Sequence, residues 1–511
     1  MTSNSDKNKR IAKNTVLLYG RMFIMLIISL YTSRVVLKAL GVDDYGIYTV
    51  VGGVVSMFTL LSGSLSAAIS RYITYELGRG DLNKQKVVFS TSVNIQLILI
   101  AVLFLIFETV GLWFLNTKMV IPEGRLTAAN WVFQFSVVTF AFNLLAVPYN
   151  ASIISHEKMD VFAYISLFEA FSKLAVAFLI LKNPFDRLIY YGLLLLIISI
   201  VIRFIYVFYC KRKFAECQYK FALDKTLTKE MLGFASWSFF GAGSTQLMNQ
   251  GVDILSNVYF GVVVNAARGV ANQVNGAVVS FVNSFTTAVN PQITKSYAVG
   301  DYEYMKDLVY KSAKYSYFLL LFFAIPIILE TNEMLALWLV ETPDHSVNFV
   351  RLIICISLVY VLSNSMVTAM LATGDIKKYQ LIVGGLGLLV FPLAWICFSI
   401  GLPPESSYLI MLLIYILQTF ARLYLLRSMI KFSIKKFAIE VLVPAIKVSL
   451  ISVLLPLIIC IFAEESIYRM ILTTIVSTIM IIVSVYFGGL SKAERLTITN
   501  LAINKIREKN L

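Results

Sequence analysis

The chain has 511 residues, with 44 Lys and Arg against 29 Asp and Glu, and it is 58% hydrophobic but only 14% charged, at a mean hydropathy of +0.78. A soluble protein would carry about a quarter charged residues, so a soluble domain is excluded and an all-α polytopic membrane protein is expected. Five scattered Cys with no Cys-x-x-Cys spacing, and only two His (His156, His345), argue against a disulfide framework or a metal centre; no cofactor is expected.

Apolar runs of about twenty residues can each cross a bilayer. The first six are centred on 15–37, 45–69, 88–115, 126–147, 161–181 and 188–209. A basic start (Lys7, Lys9, Arg10, Lys13) leads into the first without a small-residue cleavage site, so that segment reads as a retained helix. A polar, basic stretch at 211–232 follows as a connector. Six more runs lie at 234–260, 263–293, 308–329, 349–371, 379–400 and 408–426, and two others at 437–461 and 467–487. The expected organisation is therefore about 14 membrane helices: one bundle over 1–210, the connector 211–232, a second bundle over 233–431, and two additional helices with a tail over 432–511.

Charge assigns the sides. Thirty Lys and Arg fall in the termini and alternate turns on one side, against six on the other (Lys38, Lys118, Arg125, Lys182, Arg187, Arg469). Basic residues mark cytoplasmic loops, so both termini are expected inside. Their spread over many short turns also removes a nucleic-acid partner. A shift of 220 positions superposes the stretch 34–81 on 254–301, aligning Gly41 with Gly261, Ser64 with Ser284, Gly80 with Gly300 and Asp81 with Asp301. An internal repeat of this length organises the fold. Each repeat holds six spans, so the two halves share one orientation. No outer loop exceeds the stretch 330–348, which leaves little room for a glycosyltransferase or polymerase site, and no GxxxxGK[ST] nucleotide loop is present.

Ionisable groups inside a bilayer are costly and are functional candidates by default. Glu169 and Lys173 lie one turn apart near the middle of the fifth span. They are either a self-neutralising pair or a cationic or proton-linked group in a central cavity. Asp253 and Arg268 lie at similar depth on either side of Gly261, as a salt bridge or as part of a site. Arg21 and Arg203 near the inner face, and Arg34 near the outer face, either snorkel or contribute positive charge. Amides crowd the seventh and eighth spans, Asn249 and Asn272 among them, where lipid cannot satisfy them.

Asn14-Thr15, Ser33-Arg34, the run Leu40-Gly41-Val42-Asp43-Asp44-Tyr45-Gly46-Ile47-Tyr48, Ser70-Arg71 and Gly78-Arg79-Gly80-Asp81 resemble bacterial oligosaccharide-lipid flippases. These are the polysaccharide biosynthesis proteins of the multidrug/oligosaccharidyl-lipid/polysaccharide exporter superfamily. The resemblance implies two six-helix bundles around a central cavity, open alternately to either side of the bacterial cytoplasmic membrane. It implies an undecaprenyl-diphosphate-linked oligosaccharide as cargo, for O-antigen, capsule or exopolysaccharide, and other polysaccharide assembly proteins as partners. It also implies cavity cations, for which Arg34, Lys173 and Arg268 are the candidates. An ion-coupled multidrug extruder of the same superfamily, and a membrane glycosyltransferase or polymerase, are the alternatives.

Overall fold

Glycine punctuates the chain where the repeat demands it. Gly41 and Gly261 both adopt φ of 79°, and Gly80 and Gly300 adopt 76° and 79°, so the aligned turns share a positive φ open to glycine at little cost. The structure is a computed structural model and describes residues 4–496 apart from 57–58, 118–120, 122–123, 183–185, 221–223 and 340–341.

Among the described residues all regular structure is helical. Helix α1 (Asn4–Ser56) turns at Gly41, and α2 (Thr59–Arg79) follows. Asp81 caps α3 (Leu82–Thr117) by accepting from the amides of Asn83 and Lys84. Next come α4 (Leu126–Ser155), α5 (Met159–Leu179) and α6 (Arg187–Lys213). Helix α7 runs over 225–260 and α8 is Val262–Ala298. They are followed by α9 (Tyr302–Leu329), the short α10 (Thr331–Trp338), α11 (Ser346–Thr373), α12 (Lys377–Ser399) and α13 (Ser406–Ile430). The chain closes with α14 (Ile434–Phe462) and α15 (Ile467–Gly489).

Eleven described helices are long and apolar enough to cross a membrane. The three remaining expected spans, 45–69, 234–260 and 263–293, fall on α1–α2, α7 and α8. These are helical, but Gly, Ser, Asn and Gln dilute their hydropathy.

The chain divides into two compact units, 1–243 with 287–301 and 374–377, and 244–286 with 302–373 and 378–511. The first has an apolar core of Val51, Phe107, Val132, Phe133 and Leu144, in which Phe107 meets Phe133 and Phe140 edge to face. The same unit explains two signature residues. Asn14 donates to the carbonyl of Glu157, tying the start of α1 to the α4–α5 turn. Arg71 lies over the rings of Tyr72 and Tyr75. The second unit is built on Val252, Ala267, Leu320, Phe349 and Val390. Within it, α14 and α15 dock on α9 through Phe318, Leu321, Ile325, Val448 and Ile481. Glu330 and Arg469, 2.9 Å apart and buried, fasten the other end of that joint.

Candidate functional site

One cavity of about 440 Å³ opens inside the first unit, lined by α1, α4, α5 and α6. Helical spacing puts the lining there. Arg21, Met25, Ile28, Ser29, Thr32 and Val36 share one face of α1. Phe162, Ser166, Glu169, Ala170 and Lys173 share one face of α5. Beyond the Gly41 turn, Tyr45 and Tyr48 add a second wall; Asn150 comes from α4, and Tyr191 and Tyr206 from α6. Asn150 lies two residues after Pro148, which removes one hydrogen bond from α4.

The charges are unequal. Lys173 Nζ lies 2.6 Å from Glu169 Oε1, and the same carboxylate acts on Arg21 at longer range, so two cations of the lining share one carboxylate. The Arg21 guanidinium stands 4.6 Å from the centroid of the Phe162 ring, and its buried Nε has no hydrogen-bond partner among the described residues. Thr32 Oγ1 and Asn150 Oδ1 are likewise buried and unpartnered. Four tyrosines complete the walls, Tyr48 and Tyr191 in edge contact at 4.9 Å. The cavity thus has a net positive charge, unspent hydrogen-bonding groups and aromatic faces. Unpaired buried polar groups cost free energy, and a ligand with acceptors and hydroxyls removes that cost.

The expected site residues do not all meet here. Arg21, Glu169 and Lys173 line the cavity. Arg203, on α6, instead lies 4.2 Å from the Tyr149 ring, and its buried Nη1 has no hydrogen-bond partner among the described residues. The side chain of Arg34 lies outside the described ones. Arg268 is in the second unit, 3% exposed, bonded to Asp253 at 2.5 Å and to Ser407 Oγ at 3.2 Å, with its guanidinium over Tyr408. Asn249 donates within its own helix to the Thr245 carbonyl, and Asn272 is exposed. The sequence reading missed Tyr45, Tyr48, Asn150, Tyr191 and Tyr206. Each is unremarkable alone, and only the folding together of α1, α4 and α6 brings them to one place. Among the described residues no group of three or more His, Cys, Asp and Glu could hold a metal.

No family model matches the chain, and no curated protein matches it in sequence. Solved structures do. A MATE crystal structure in the straight conformation superposes with a TM-score of 0.73 at 12% identity, covering 83% of this chain and 96% of that one. An outward-facing multidrug resistance MATE transporter of the MOP superfamily gives the same TM-score, identity and coverage. A MOP superfamily transporter from Pyrococcus furiosus, described by a binding pocket of reverse polarity suggesting a different function, gives 0.72 at 11%, covering 83% and 96%. The chain therefore has the fold of MATE transporters.

Proposed function

We propose that this MATE-folded chain is a flippase for an anionic lipid-linked oligosaccharide, of the undecaprenyl-diphosphate class, working by alternating access in the bacterial cytoplasmic membrane. The observation that carries the reading is the composition of the cavity: Arg21 and Lys173 against the single carboxylate of Glu169, among four tyrosines, Asn150 and three hydroxyl side chains. A diphosphate calls for Arg and Lys; sugars call for hydroxyls, amides and aromatic faces. The polyprenyl tail needs no protein site, since lipid solvates it. The signature stretch around Gly41 supports the same reading. So does the Pyrococcus furiosus neighbour, whose described reverse polarity is coupled with a different function.

In this reading 1–210 and 233–431 are the two like-oriented six-helix bundles, 211–232 is the cytoplasmic connector, and 432–511 adds two helices and a tail. Arg21, Lys173 and Arg34 serve the head group. Arg203 reinforces the positive field beside the cavity, and Asn249, Asn272, Asp253 and Arg268 serve the second half of the transport path. The other polysaccharide assembly enzymes of the cell are its partners. The multidrug extruder is the second reading, favoured by the fold of the neighbours and by the presence of Glu169 in the cavity.

Removing the protein from its host decides between them. On the flippase reading, lipid-linked repeat units collect on the inner leaflet and surface glycan falls. Unchanged surface glycan with raised sensitivity to cationic drugs would favour the extruder.

A further inference from the structure

The run Gly41-Val42-Asp43-Asp44-Tyr45 marks the chain, yet Asp44 does not line the cavity. Its partner is Arg125, the residue just before α4. Arg125 Nε and Nη2 lie 2.8 and 2.5 Å from the two Asp44 carboxylate oxygens. The same guanidinium reaches Asp186, with Nη1 and Nη2 at 2.5 and 3.2 Å from its two oxygens. Asp186 in turn caps α6, accepting from the amides of Leu188 and Ile189. Arg187 adds a bond to the carbonyl of Ala39, just before the Gly41 turn. One guanidinium therefore gathers the second limb of α1, the start of α4 and the start of α6.

Register links this clamp to the cavity. Tyr48 lies four residues after Asp44, and Tyr191 five after Asp186. At 1.5 Å rise per residue both sit about 6–8 Å along their helices from the clamp. Their rings meet at 4.9 Å, and both line the cavity. The two helices are thus joined first by carboxylate–guanidinium–carboxylate bonding and then, one turn on, by the ring contact. Only Arg can do the first part. Its planar fork binds two carboxylates at once, whereas a Lys ammonium is a point charge. Without Arg125 the two Asp carboxylates would face each other unneutralised.

We propose that Arg125 is a positioning residue of the cavity: by clamping Asp44 to Asp186 it holds Tyr48 against Tyr191 and sets the width of the site. The proposal rests on the cavity being the cargo site, but its test needs no cargo. The full chain, with its five native Cys replaced and Ala170→Cys as a reporter on the cavity wall, is purified in detergent and labelled with an impermeant maleimide. Arg125→Gln raises the labelling rate at least about fivefold, because the facing carboxylates repel. Adding Asp44→Asn and Asp186→Asn, which removes the repulsion while Asn still caps α6, returns the rate toward that of the parent. Arg125→Lys, which keeps the charge and the fold but loses the fork, gives an intermediate rate. A melting curve on each variant separates a wider site from an unfolded chain. The proposal is overturned if folded Arg125→Gln and Arg125→Lys label at the parent rate, or if the triple variant labels as fast as Arg125→Gln. Failure of cargo transport by the parent chain would count against the flippase reading and would leave this result standing.

Discussion

Lys173 and Glu169 keep 48% and 39% of their side chains exposed, so water in the cavity screens the pair and its net stabilisation is about 0.2–1 kcal/mol. Lys173→Ala therefore costs little stability but removes half of the cavity's cations. Transport should fall at least about tenfold, the loss of one good charge-assisted bond, at an unchanged melting temperature. The Glu169→Gln, Lys173→Gln double change should stay inactive; full transport by it would return the pair to a structural role. Arg268 sits at the opposite limit, 3% exposed and bonded to Asp253 and Ser407. Removing one partner of a buried pair costs about 3–5 kcal/mol, so Arg268→Met should lower the melting temperature sharply, whatever the cargo. A variant that melts like the parent would show the pair to be dispensable for folding. Spacing in the sequence made both pairs visible, since i,i+4 on one helix and equal depth beside one glycine turn need no tertiary knowledge. It could not rank them, because exposure depends on which neighbouring helices pack over each.

The Gly41 turn was also legible, from glycine beside two aspartates and from its copy at Gly261. A Cβ at Gly41 meets nothing within 4 Å, so a substitution there is opposed by the backbone alone at φ of 79°. At its ψ of 174° this is the extended positive-φ region, so Gly41→Ala should cost roughly 1–3 kcal/mol, read as a lower melting temperature. The joint of α14 and α15 to α9 could not be read from sequence, because one of its fastenings pairs residues 180 positions apart. Glu494 accepts from Lys314 at 2.8 Å and from the Tyr315 hydroxyl at 2.7 Å. Burial pushes its pKa up, but these donors and the Ser491 amide outweigh that and hold it at about 2, below the ordinary 4.5. Its folded pKa lies below the unfolded one, so the stabilisation is present above about pH 4.5 and is lost as pH falls toward 2. Glu494→Gln should flatten the acid limb of the melting-temperature profile over that window. An unchanged limb would show that Glu494 does not fasten the helices.

At the scale of the molecule, eleven helices among the described residues have the length and hydropathy to cross a membrane, while α7 and α8 are rich in amides and the α1–α2 stretch in Gly and Ser. Apolar periodicity finds the first kind. The second kind was read from the same apolar runs with a weaker signal, because polar groups lowered it where they are expected to meet protein or water instead of lipid. The cavity was legible only through its charges. Its tyrosines and Asn150 converge from helices α1, α4 and α6, far apart in the chain, and the Arg125 clamp was counted merely as outer positive charge. The alternation of basic turns predicts the orientation. In the cysteine-free chain, Glu464→Cys should react with an impermeant thiol reagent added outside intact cells and Lys225→Cys should not; the opposite pattern would invert the topology. The flippase reading itself is tested most directly in proteoliposomes holding the purified chain and a fluorescent polyprenyl-diphosphate oligosaccharide, with leaflet exposure followed by a membrane-impermeant quencher. The account predicts protein-dependent movement of this lipid that Lys173→Ala slows at least about tenfold, and no uptake of a cationic dye. A lipid that stays in its leaflet while the dye is transported would contradict it.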